Sequence, residues 1–182
     1  MTWDSVLPVA VIPVAGPGGR TLIDEARFNR LYTQMAPALR GYLARIGGDA
    51  ALADDLLQET FVRLLQADAG HLADSQLRSY LYRIATNLVR DRWRAMQRGH
   101  TVEISIEPSA APRTMNLDIP RLFRKLTLRE RSLLWLAYVE RCDHREIAER
   151  LGLSVLSVRV SLFRARKRFA AILEKGGFRN ER

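Results

Sequence analysis

Apolar side chains recur at spacings of three and four along most of this chain, a period that matches α-helix rather than β-strand. The period holds over residues 22–98 and 117–175 and is lost between them. We therefore predict an all-α fold of two small helical modules. Helices are expected over residues 24–45, 50–66 and 75–97 in the first module, and 117–125, 128–141, 144–151 and 155–173 in the second.

The remaining segments have a different composition. Residues 1–21 are rich in Pro and Gly and predict a flexible N-terminal extension. Residues 99–116 contain prolines and predict a flexible linker, although a hairpin over 101–106 is an alternative. Residues 176–182 are expected to form a tail.

Positive charge is concentrated in the last third of the chain. Residues 1–120 contain 13 basic and 13 acidic side chains, whereas residues 121–182 contain 16 and 7, so this part carries the whole net charge of +9. A basic module favours a nucleic-acid partner, because binding phosphates releases counterions. A generic basic surface is the alternative.

The segment from Glu146 to Ala165 predicts a helix-turn-helix unit. Ala148 is small enough for two helices to cross closely, and Gly152 tolerates the positive φ that a tight turn requires. Such a unit places its second helix in the major groove of DNA, and a plain helical hairpin is the alternative. The outward positions expected to read the duplex are Val155, Arg159, Val160, Phe163, Arg164 and Arg166.

Capping residues mark the starts of the helices in the second module. Thr127 with Glu130, and Asp143 with Glu146, have the spacing of a capping box, and Ser154 is a further candidate N-cap. In the first module, Pro37 is expected to kink or break the first helix, and Gly47-Gly48 to end it.

The second and third helices of the first module differ in charge. The second helix carries Asp54, Asp55, Gln58 and Glu59, which predict a docking face for a basic partner or a solvated face. Leu64 and Leu65 are assigned to its buried side. The third helix is basic and aromatic, a composition suited to single-stranded nucleic acid, and of its aromatic side chains Tyr80 is expected in the core. Its candidate contacts include Arg83, Arg90, Arg92 and Trp93.

These features together resemble the extracytoplasmic-function group of bacterial sigma factors, which keep only conserved regions 2 and 4. In the first module the similar strings run from Ala53 to Arg63 (ADDLLQETFVR) and from Leu77 to Arg92 (LRSYLYRIATNLVRDR). In the second module they are Leu128–Arg131, Glu146–Ser154 and Leu162–Arg168. The resemblance covers roughly residues 24–98 and 117–173, most of the chain.

The resemblance implies a role for each surface. The helix of Asp55, Gln58 and Glu59 would dock on the clamp coiled coil of the polymerase largest subunit. The loop over 67–74, with Asn87, would receive a flipped base of the downstream promoter element. The arginines and Trp93 of the third helix would hold the melted strand, and the helix-turn-helix would read the upstream element. The implied partners are core RNA polymerase, promoter DNA and, for many members, an anti-sigma factor.

The chain departs from the family pattern at three places. The recognition helix opens with Val155-Leu156-Ser157 where members often have Glu-Gly-Thr. Ser161 stands where an Arg is common, and Asp143-His144 replaces a more usual Ser-Tyr pair. The first two differences imply a different set of upstream contacts.

Two other classes of function are weighed against this one. A DNA-binding regulator that does not bind polymerase would explain the second module but not the first. An enzyme would need a nucleophile with a base, or clustered metal ligands, and the widely separated histidines provide neither. We therefore expect no catalysis, cofactor, metal or small-molecule substrate. The single cysteine, Cys142, and the absence of a long apolar run predict a cytoplasmic protein with no membrane partner.

Overall fold

The structure is a computed structural model, and it describes residues 21–98 and 119–178. The regular secondary structure of these residues is entirely helical, which confirms the all-α prediction. The first module contains α1 (Glu25–Gly47), α2 (Ala50–Gln66) and α3 (Asp74–Arg98). The second contains α4 (Ile119–Arg124), α5 (Leu128–Tyr138), α6 (His144–Leu151) and α7 (Val155–Lys175).

Local sequence signals set the helix ends in the first module. The carboxylate of Asp24 accepts the amide of Arg27 and caps α1, while Gly48 ends it with a φ of 84°. Pro37 does not break α1, because it lies exposed between the buried turns of Met35 and Leu39 and removes only one helical donor.

The second module begins its helices as predicted. Both capping boxes are formed, by Thr127 with Glu130 and by Asp143 with Glu146. Ser154 caps α7 by accepting the amide of Ser157. Helix α5 ends at Tyr138, three residues before the predicted end, because the chain turns there and Arg141 takes a φ of 54°.

The two modules pack against each other along a seam, with α3 on α6 and α1 on α5. Tyr42 of α1 and Tyr82 of α3 are fully buried near this seam, with ring centroids 5.1 Å apart. The guanidinium of Arg150, on α6, lies 4.5 Å from the centroid of the Tyr82 ring. The aromatic residue of α3 in the core is therefore Tyr82, while Tyr80 is only half-buried. Periodicity within one module did not reveal this, because the second module covers Tyr82.

The predicted N-terminal extension, apart from residue 21, lies outside the described residues, as do the linker over 99–116, the alternative hairpin and residues 179–182 of the tail. Of the helices in the described ranges, none combines the length and the apolar character needed to cross a membrane.

Candidate functional site

The outer face of α2 combines acidic and apolar side chains. Asp55 and Gln58 are exposed, and Glu59 lies beside them at half exposure. The helical period brings Val62 and Leu65 to the same face, where 45% and 42% of their surface is exposed. The assignment of Leu65 to the buried side was wrong, since Leu64 alone of that pair faces the core. Exposed apolar side chains at the centre of a polar surface are typical of protein interfaces.

The acidic side chains of α2 differ in their ion pairs. Arg40 of α1 contacts both carboxylate oxygens of Asp54, at 2.5 and 2.8 Å, and this hydrogen bonding holds the pKa of Asp54 below its usual value. Glu59 pairs with Arg63 one turn later at 2.7 Å. Asp55 forms no ion pair with any described residue. Among these three acids, Asp55 therefore has its whole charge available to an outside partner.

One face of α3 carries most of the candidate strand-binding residues. Arg83, Asn87 and Arg90 follow one another at spacings of four and three, and Arg94 continues the row. Trp93 is 47% exposed and lies at the side of this row. Arg92 projects from another side of the helix, about 140° from Asn87. The helical period thus brings Arg83, Asn87 and Arg90 together and adds Arg94, whereas Arg92 is set apart.

Two arginines of this row are partly covered. The Nε of Arg83 lies 3.9 Å from the position that a Cβ would take at Gly152, so this side chain faces the turn of the second module. The Arg90 side chain is only 15% exposed, with its Nε 3.7 Å from the carboxylate of Asp91. Asn87 and Trp93 are open to solvent.

The loop between α2 and α3 is fastened to α1 by Arg27. Its guanidinium donates to the carbonyl oxygens of Gly70, at 2.8 Å, and of Leu72. It also pairs with Asp74 at 2.7 Å, and that hydrogen bond lowers the pKa of Asp74. Asn87 lies 13 residues beyond Asp74, about 20 Å along α3. A pocket for a flipped base that used both this loop and Asn87 would have to span this distance.

The helix-turn-helix of α6 and α7 has the predicted geometry. Gly152 has a φ of 65°, and Ala148 is buried where the helices meet. The buried side of α7 is formed by Val158, Leu162 and Ala165. All six predicted duplex-reading residues are exposed, and among the apolar ones the exposed fractions are 37% for Val155, 43% for Val160 and 59% for Phe163.

Sequence reasoning missed Leu156, which is 71% exposed on the same face. Its helical phase, opposite Val158 and one turn before Val160, could have identified it. Ser161 lies at the side of α7, where Arg129 of α5 is 3.3 Å from its hydroxyl. Arg166 lies 3.5 Å from the Tyr138 hydroxyl, which orients it along the surface of the second module.

The described residues contain no group of three or more His, Cys, Asp or Glu side chains that could hold a metal ion. Cys142 is buried, and burial raises the pKa of its thiol to about 11, so it is protonated near neutral pH. The proximity of Cys142 and His144 in the sequence therefore does not produce a reactive thiolate.

Both modules match models of known protein families. Residues 31–99 match Sigma-70 region 2, and residues 116–169 match Sigma-70, region 4. The chain is 30% identical over 155 residues to RNA polymerase sigma factor CarQ of Myxococcus xanthus, a match that covers 80% of this chain and 88% of that protein.

Solved structures show the same fold. The structure of CnrH in complex with the cytosolic domain of CnrY matches with a TM-score of 0.64 and 26% identity, over 84% of this chain and 90% of that one. The sigma factor RpoE from Bartonella quintana, solved with the anti-sigma factor NepR, matches with a TM-score of 0.60 and 21% identity. This match covers 81% of this chain and 96% of that one.

Proposed function

Since this chain belongs to the extracytoplasmic-function group of RNA polymerase sigma factors, we propose that its three surfaces divide the work of promoter-specific initiation. The outer face of α2 docks on core polymerase, the basic row of α3 holds the melted downstream element, and α7 reads the upstream element as duplex. The chain acts through binding energy in the cytoplasm, and the polymerase supplies the catalysis.

The observation that carries this proposal is the contrast between an acidic and apolar α2 and the two basic surfaces. Asp55 and Glu59 share one face of α2 with the exposed Val62, a combination suited to a basic protein surface. On α7, in contrast, the first acidic residue is Glu174, near the end of the helix. Surfaces of opposite charge on one small chain suit partners of opposite charge.

The row on α3 is suited to a single strand rather than a duplex. Arg94 carries charge at an exposed position, the partly covered Arg90 adds to the positive potential, and the exposed Trp93 provides a face on which a base can stack. Asn87 is open to solvent beside them and presents an amide that can form hydrogen bonds with an unpaired base. We propose that Arg92, set apart on the helix, contacts a neighbouring phosphate rather than the same base.

Capture by core polymerase tests the docking face. We expect full-length wild-type protein to bind purified bacterial core polymerase and Asp55→Arg to lose most of this binding, because it places a cation against a basic partner. Glu174→Arg is the matched control, since Glu174 is an exposed acid on α7, in the second module, and it should bind as the wild type does. Failure of the wild type to bind a matched core enzyme would contradict the proposal.

Run-off transcription then tests the DNA-binding surfaces. Arg159→Ala should lower initiation at a selected promoter, because α7 loses a contact with the upstream duplex, while capture by core polymerase stays intact. Wild-type protein that binds duplex DNA but not polymerase would instead indicate a separate DNA-binding regulator.

We also propose an anti-sigma factor as a partner, on the basis of the family.

A further inference from the structure

The outward face of α7 carries an apolar stripe made of Leu156, Val160 and Phe163. Their exposed fractions are 71%, 43% and 59%. At about 100° per residue the three lie within about 60° of arc, directly opposite the buried side of the helix. They therefore project furthest from the core of the second module. Exposed apolar surface of this extent indicates a contact surface rather than a solvated face.

Cations border this stripe on both sides. Arg159 and Arg166 follow one edge, Arg164 and Arg168 follow the other, and Lys167 lies at the C-terminal end, all exposed. The floor of the DNA major groove displays the methyl groups of thymine, and phosphates line both walls. An apolar stripe between two rows of cations fits that distribution of charge. Arg168 also pairs with Glu130 at 3.3 Å, and Arg166 lies 3.5 Å from the Tyr138 hydroxyl. An uncharged protein surface would present no anions to Arg159, Arg164 and Lys167.

We propose that Leu156, Val160 and Phe163 recognise thymine methyl groups in the upstream promoter element. The inference rests on the proposed function and adds the chemistry by which α7 selects its sequence. These three side chains neither donate nor accept hydrogen bonds, and the apolar group that an unmodified major groove presents to them is the C5-methyl of thymine. Part of the promoter selectivity of this chain then depends on apolar contact.

Uracil substitution tests this directly. A duplex is selected from a randomised pool with the full-length chain bound to core polymerase, and is then synthesised with uracil in place of each thymine of the upstream element. Uracil keeps the base pair and removes only the methyl group. Binding should weaken about threefold to fivefold for each contacted methyl. The same replacement in the segment between the two promoter elements should leave binding unchanged.

Side-chain variants connect the effect to the stripe. Phe163→Ala and Val160→Ala should bring the ratio of thymine to uracil affinities towards one. Val139→Ala is the matched control, because Val139 is 54% exposed at the end of α5 and lies near Phe169, on the side of α7 opposite the stripe; it should keep the wild-type ratio. Both affinities are measured with the same preparation of each variant. A lower fraction of folded protein therefore does not change the ratio of thymine to uracil affinities.

Two outcomes would overturn the inference. Sequence-selective binding with equal affinity for the thymine and uracil duplexes would exclude methyl recognition and assign the stripe to a protein partner, while the proposed function stands. Absence of selective duplex binding in the presence of core polymerase would overturn the proposed function of α7 and the inference together.

Discussion

At the scale of single residues, Cys142 shows how surroundings decide reactivity. Its amide donates to the carbonyl of Leu136 at 2.9 Å, which holds the residue in the turn between α5 and α6. Burial raises the pKa of its thiol to about 11, and nearby carboxylates, including that of Glu146, oppose ionisation further. Arg150 acts in the opposite direction without cancelling these effects.

We expect Cys142 to react slowly with a disulfide reagent in the native protein at about pH 8. A pKa near 11 instead of 9 lowers the thiolate fraction about 100-fold, and burial restricts access further. The disulfide reagent releases a coloured thiol when it reacts. Because the chain has one cysteine, the rate of this release measures the reaction of Cys142 alone. The rate should rise at least about tenfold in denaturant, and equal rates in both states would contradict the burial.

The same shift fixes the sign of a pH effect on stability. The pKa of the Cys142 thiol is higher in the folded protein than in the unfolded chain. The contribution of the protonated, buried thiol to the free energy of unfolding is therefore complete below about pH 9. It is lost as the pH rises towards about 11, because the unfolded chain ionises first.

At the scale of elements, the angle between α6 and α7 depends on one backbone conformation. Gly152 ends α6 with a φ of 65°, and its amide donates back to the carbonyl of Ala148. The amide of Leu153 donates to the same carbonyl at 2.8 Å, so the turn satisfies the end of the helix. This turn sets the direction in which α7 leaves and so presents its reading face.

Gly152→Ala should lower the free energy of unfolding by about 1–2 kcal/mol, because a Cβ is strained at positive φ. The space itself is open, since Arg83 is 3.9 Å from the new atom. Gly47→Ala is the matched control: Gly47 is the last residue within α1, its φ is not positive, and nothing within 4 Å would meet a Cβ. That change should be neutral or stabilising in urea denaturation. Equal losses in the two variants would contradict a strained turn.

At the scale of the whole molecule, the seam combines good packing with incomplete polar pairing. Arg150 stacks on Tyr82, and Arg45 of α1 lies 5.8 Å from the centroid of the Trp135 ring of α5. However, within the described residues the Nε atoms of Arg131 and Arg150 are buried without hydrogen-bond partners. Each such group costs about 1–3 kcal/mol, so this seam is weaker than an apolar interface of the same size.

Arg150→Ala should loosen the seam, because the cation–π contact with Tyr82 contributes about 0.5–2 kcal/mol. We expect a lower midpoint of thermal unfolding and a larger radius of gyration in small-angle X-ray scattering. Arg145→Ala, at an exposed position on the same helix, is the control and should change neither. A seam variant with wild-type dimensions and stability would show that this contact does not hold the modules together. Loosening would also uncover Arg83 of the strand-binding row.

Sequence by itself determined the features of this protein that depend on neighbouring residues. The cap at Ser154, the capping boxes and the glycine turns act over three or four residues, so helix starts and the helix-turn-helix could be predicted. The outward residues of α7 followed from the same period, except that Leu156 was overlooked.

Tertiary structure alone decided the features that depend on residues distant in the chain. Arg40 engages Asp54 and leaves Asp55 available, although the two acids are adjacent in the sequence. The second module buries Tyr82 and covers Arg83, which the period of α3 does not reveal. The reason is physical: helical periodicity records which side of a helix is apolar, but packing between modules determines which polar and aromatic side chains are withdrawn from water.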